Sequence, residues 1–175
     1  MGCGRCPVVR STSFRRRSTG SVTFLQKKSF AVLQDVAIAH SFSIGINAQS
    51  ASSAVGTAIL CLHNQSLGIS AEINSNVTVY SGSEIASNAS FGASAAEFSR
   101  LNLTRCTIEL NSSYAVYCSN MSFAFVFALV TSGTTTQRTE FATDLSGVYQ
   151  ASTHVGSPVF SPAIGTTGNN EAITR

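Results

Sequence analysis

The residues best suited to chemistry are five cysteines (Cys3, Cys6, Cys61, Cys106, Cys118) and three histidines (His40, His63, His154). Cys61 and His63 are separated by one residue, so an extended strand would carry both on one face. With the Cys-x-x-Cys of Cys3 and Cys6 they offer a Cys₃His donor set for zinc. A Cys–His nucleophile pair could be drawn from Cys61, Cys106 or Cys118 with His40 or His154. Five cysteines and three histidines generate such pairs in any order, and a single Cys-x-x-Cys near the terminus is half a zinc signature. The expectation is therefore no metal and no cofactor. The odd, scattered cysteines form no disulfide framework and are expected to be free thiols. No Gly-x-Ser-x-Gly, phosphate loop or dinucleotide fingerprint is present. Acids are too sparse for a carboxylate dyad, and the chain is expected not to be an enzyme.

Charged residues make up 11% of the chain against 43% apolar. The charged share is less than half of the usual ~25%, so hydroxyls, amides or other protein must cover the surface. The charge is also unevenly placed. Residues 1–34 carry Arg5, Arg10, Arg15, Arg16, Arg17, Lys27 and Lys28 and no acid, whereas the remainder is net acidic. Like-charge blocks read as solvated segments seeking an opposite charge. The expected organisation is a basic, flexible N-terminal arm over 1–28 and a β-rich body over 29–175, with the seven cations binding nucleic acid through phosphate.

Two other uses of the N-terminus compete. Gly2 as a myristoylation site, with Cys3 or Cys6 palmitoylated and the arginines adding attraction to anionic lipid, would make a peripheral membrane protein. An Arg- and Ser-rich, acid-free start also fits an organelle transit peptide. No apolar run approaches the ~18 residues of a membrane helix, and no apolar h-region follows the arginines.

The body alternates. Leu67, Ile69, Ala71 and Ile73 are expected on one face of a strand over 67–73, and Cys106, Ile108 and Leu110 on one face over 106–110. Across 121–130, Met121, Phe123, Phe125, Phe127 and Leu129 share one side and smaller residues the other, which predicts a central strand covered on both faces. The runs SVTFL, FAVLQDVAI, TAILCL, NVTVY and SPVFSP are further strands, and ASAAEFSRL over 93–101 predicts a helix. Six Asn-x-Ser/Thr triplets start at Asn64, Asn76, Asn88, Asn102, Asn111 and Asn120. They are glycosylation acceptors in form, but Asn and Ser also suit turns, and turn chemistry is favoured. Their loose period raises a β-solenoid, for which no repeated motif is visible. The expected fold is all-β: a single-domain sandwich or jelly roll.

The stretch QKKSFAVLQDV resembles the small jelly-roll coat proteins of satellite plant viruses, in which basic residues precede a Phe-x-hydrophobic-Leu-x-Asp strand. The matching positions are Lys27, Lys28, Phe30, Val32, Leu33 and Asp35. The resemblance implies a self-assembling capsid subunit, located in the virion, whose arm holds packaged nucleic acid.

Overall fold

The computed structural model describes residues 8–10, 13–15, 23–127, 130–132, 138–142, 146–150, 160–161 and 173–174. Every strand in it is short, because a corner follows every three to five strand residues through the continuous stretch. After each corner the chain joins the next sheet, and three corners return it to the first sheet, beside the strand from which it set out. The result is a parallel β-solenoid of about four turns, with three sheets forming its sides.

The first sheet stacks Phe30–Gln34, Ser53–Thr57, Asn76–Val79, Arg100–Thr104 and Phe123–Phe127 in sequence order. The second stacks Ala37–Ala39, Leu60–Leu62, Glu84–Ala86 and Thr107–Glu109. The third stacks Ile46–Ala48, Ile69–Ala71, Ala93–Ala95 and Tyr114–Cys118. All pairing is parallel and in register, so equivalent residues of successive turns lie side by side. Ala31, Ala54, Val77, Leu101, Ala124 and Val148 form one such column. Ile38, Cys61, Ile85 and Ile108 form another, and Ile46, Ile69, Ala93 and Val116 a third. These columns face the axis and form the buried core.

Three expectations are corrected here. The fold is neither a sandwich nor a jelly roll. Phe30–Gln34, the strand behind the coat-protein resemblance, pairs parallel with both Val8–Arg10 and Ser53–Thr57, whereas a jelly roll is built from antiparallel strands. That resemblance and its capsid reading fall with it. The helix over 93–101 is absent: Ala93–Ala95 and Arg100–Thr104 are strands. Alanine's helix propensity is a fraction of a kcal/mol, less than a strand gains by pairing on both edges inside a stack. Finally, the strand near 121–130 buries its small side. Ala124 and Val126 point inward, while Phe125 and Phe127 are 50% and 40% exposed, because the interior between three close sheets has no room for a phenyl column.

Polar ladders finish the interior. Ser52, Ser75, Ser99 and Ser122 are buried, and each accepts the N–H of its equivalent one turn earlier. These bonds run Ser29 to Ser52, Ser52 to Ser75, Ser75 to Ser99 and Ser99 to Ser122, at 3.0–3.2 Å, and Ser122 donates to Ser146 in turn. At another corner Asn64, Asn88 and Asn111 stack 24 and 23 residues apart. The Asn64 side-chain amide donates to Asn88 Oδ1 at 2.8 Å, as Asn88 does to Asn111 Oδ1, and the backbone N–H of each donates to the same oxygen at 3.0 Å. Gly68 lies against this ladder. A Cβ there would stand 2.6 Å from the Gly92 carbonyl oxygen and 2.8 Å from Asn88 Nδ2, so only glycine fits.

The corners need left-handed backbone. Asp35, Ala58, Gly82 and Arg105 follow successive strands of the first sheet at φ 53°, 50°, 78° and 53°. One glycine among four leaves the other three strained, since an L-residue in this region is disfavoured by ~1–2 kcal/mol.

Two outcomes are expected. Asn88→Ala should lower unfolding stability by roughly 2–5 kcal/mol, since it removes the acceptor of two buried N–H donors and the donor to Asn111. A urea melt within 1 kcal/mol of the unmodified chain would contradict the ladder. Ala58→Gly, which copies the residue one turn later, should raise stability by about 0.5–1 kcal/mol as left-handed strain is relieved, less the extra chain entropy of glycine.

Candidate functional site

The cysteines are the strongest nucleophiles of the sequence, and the structure withdraws the three described ones from use. Cys61, Cys106 and Cys118 are buried thiols, none of them in a disulfide. Cys61 occupies an isoleucine position in its column, where its Sγ contacts the Gly68 carbonyl oxygen. Burial pushes the thiols of Cys61 and Cys106 up to about 12, against smaller opposing hydrogen bonds. A thiol held neutral is a poor nucleophile and a poor metal ligand.

The expected Cys61–His63 pairing on one face is not found. The strand ends at Leu62, and His63 takes φ 53° at the corner, which swings it into solvent while Cys61 stays in the core. There it stacks on His40, its equivalent one turn earlier, with ring centroids 5.3 Å apart and planes 9° apart. Among the described residues no three His, Cys, Asp or Glu side chains gather to hold a metal ion. His154, Cys3 and Cys6 lie outside the described residues, as do Gly2, Arg5, Arg16 and Arg17.

Topology places the remaining cations on one turn, at three different positions around it. Arg10 ends the strand Val8–Arg10 at the register position of Gln34, an exposed residue of the first sheet. Arg15 ends Ser13–Arg15 at the register position of Ala39 on the second sheet. Lys27 and Lys28 form the exposed corner that precedes Phe30, at φ 56° and 63°. The four therefore belong to the beginning of the stack. Glu72, Glu84, Glu97 and Glu109 all belong to later turns. The charge separation read along the sequence becomes a separation along the solenoid axis, because rise along a stack follows sequence order.

A second feature lies on the outer face of the third sheet. Phe91 stacks on Tyr117 with centroids 4.6 Å apart and lies 5.5 Å from Tyr114. Beside them Ser70 donates to Glu72 at 2.7 Å and meets Ser94 at 3.0 Å. Ser70 and Ser94 are themselves buried, at 0% and 5% exposure, and the three ring-bearing residues are half-buried, so this network braces the sheet. Sequence reasoning missed this cluster, since residues 91 and 117 become neighbours only through the 23-residue offset that pairs Ser94 with Tyr117.

The buried thiols generate a pH prediction. A neutral thiol binds a proton that the unfolded chain releases near the ordinary value of 9.0. Between about pH 9 and 12 the folded state thus holds more protons, and stability must fall as pH rises. The slope from each thiol should approach ~1.4 kcal/mol per pH unit. Urea melts at pH 8 and pH 10 should show this loss, and Cys106→Ala should show less of it at pH 10. Equal pH dependence in the two proteins would rule out Cys106 as a source.

Comparison with known families matches residues 7–145 to a right-handed beta helix region. No curated protein and no solved structure matches. The matched span covers well over half of the chain and contains the entire continuous stack of parallel turns, with its in-register columns and its asparagine and serine ladders. The chain belongs to the right-handed β-helix family.

Proposed function

We propose that this β-helix is a non-enzymatic solenoid that binds a polyanion through its basic first turn. One observation carries the reading: Arg10, Arg15, Lys27 and Lys28 share the beginning of the stack, and the first acid of the chain is Asp35. Strand pairing sets the backbone positions of these cations, which costs less entropy on binding than ordering an unpaired segment would. Phosphate or sulfate groups along a polymer meet them by charge, releasing the polymer's condensed counterions. Nucleic acid supplies such phosphates, and a sulfated polysaccharide offers the same chemistry. The buried, neutral thiols of Cys61 and Cys106 favour binding over covalent catalysis.

The test uses Lys27→Gly with Lys28→Asn, a pair that creates no new Asn-x-Ser/Thr triplet. Glycine and asparagine tolerate the left-handed backbone of that corner better than most residues, so the charges leave while the turn remains. Binding of single-stranded RNA and of heparin is measured across a salt series. The reading expects weaker binding and a log–log salt slope smaller by roughly 1.4–1.8 if both lysines contact phosphate. Unchanged affinity and slope for both polymers would refute it, and loss with only one would name the polymer class.

A further inference from the structure

We propose that Asn76, Asn102 and Asn120 carry N-linked oligosaccharide and that Asn64, Asn88 and Asn111 do not. All six begin Asn-x-Ser/Thr triplets, and the fold divides them evenly. Asn64, Asn88 and Asn111 are 1%, 0% and 2% exposed, and their amides are consumed by the ladder. A sugar on any of these nitrogens would have to occupy the interior of the stack, so a chain glycosylated there could not close its turns. Asn76, Asn102 and Asn120 are exposed.

The exposed sites have the geometry that a surface sugar requires. In Asn76-Val77-Thr78 and Asn102-Leu103-Thr104 the middle residue faces the core, with Val77 and Leu103 at 1% and 0% exposure. Strand alternation then sends asparagine and threonine outward together. Thr104 Oγ1 lies 3.2 Å from Asn102 Oδ1, a hydrogen bond within the acceptor triplet itself. Asn120 sits at a corner with φ 53° and projects from the stack. Asn102 is also in register with Phe125, which is 50% exposed. A sugar on the asparagine would lie over that ring on the adjacent strand, ~4.8 Å away. An outer surface with so few charges gains solubility from such groups.

The reaction needs a donor of one chemical class, an oligosaccharide on a polyprenyl diphosphate, and a transferase of the secretory lumen. The asparagine Nδ2 forms a bond to the anomeric carbon and gives up one proton. The carbon–oxygen bond to the diphosphate breaks, and the lipid diphosphate leaves with the electron pair. No oxidation or reduction occurs. Transfer precedes folding, so burial of Ser122 in the serine ladder does not exclude the triplet of Asn120, whereas chains modified at Asn64, Asn88 or Asn111 fail to close their turns and are absent from the folded protein.

The test takes the chain from the cells that make it and treats it with peptide N-glycosidase in ¹⁸O-water. Each released sugar leaves an aspartate carrying one ¹⁸O, which peptide mass spectrometry locates. The expected result is label at Asn76, Asn102 and Asn120 and at none of the other three. In a second arm, the full chain is directed into the secretory pathway of a eukaryotic host. There Asn76→Gln, Asn102→Gln and Asn120→Gln should each remove one glycan's mass from the secreted protein, while Ser90→Ala, which destroys the Asn88 triplet and leaves the ladder asparagine in place, should remove none. Absence of label at all three exposed sites, or label at Asn64, Asn88 or Asn111 in the folded protein, would overturn the proposal.

Discussion

Everything in this molecule depends on one constraint: each residue must tolerate its own equivalent as a neighbour, one strand spacing of ~4.8 Å away. A parallel in-register stack has no way around this rule. Apolar residues satisfy it by forming columns such as Ile38, Cys61, Ile85 and Ile108. Uncharged polar residues satisfy it when one group both donates and accepts, as the amides of Asn64, Asn88 and Asn111 do. Charges satisfy it poorly, since like charges stacked along a column repel. The low charge of the chain, 11%, has a cause in this geometry as well as in whatever covers the surface.

The same constraint explains why the candidate chemistry of the sequence does not assemble. Cys61 is placed by its column, and the column is core. His63 is placed by the corner that follows, and the corner is solvent. Two residues of a would-be ligand set are thus separated by the turn that makes the solenoid. The outer faces and the ends are all that remains for partners, which is where the cations of the first turn and the exposed asparagines stand.

Strain and ladders balance each other across the corners. Seventeen non-glycine residues among those described hold positive φ, each at some cost. They recur at equivalent corner positions because the rungs are nearly equal in length, and the buried serine and asparagine bonds hold those corners in place. Isolated from the stack, one turn would have neither the partners for its N–H groups nor a closed core, as expected of a repeat architecture.

Local pattern in the sequence determined that the body is all-β and that the cations cluster at one end, but of the alternating runs 67–73 and 106–110 only Ile69–Ala71 and Thr107–Glu109 are strand, with Ile73 and Leu110 turned out at corners. Alternation is a property of a single strand, and charge placement of a single segment, so no partner is needed to read them. What pairs with what is not local. Asn64 and Asn88 are 24 residues apart, and Ser52 and Ser75 23, a period concealed because other Asn-x-Ser/Thr triplets fall between the ladder positions. The six triplets look alike in sequence, yet three are core and three are surface. Only the tertiary stack decides between parallel and antiparallel pairing, turns Ala93–Ala95 into a strand, and sends the phenyl rings of Phe125 and Phe127 outward. The physical reason is that the hydrogen bonds and the packing space that fix these outcomes are supplied by neighbouring turns, about two dozen residues away along the chain.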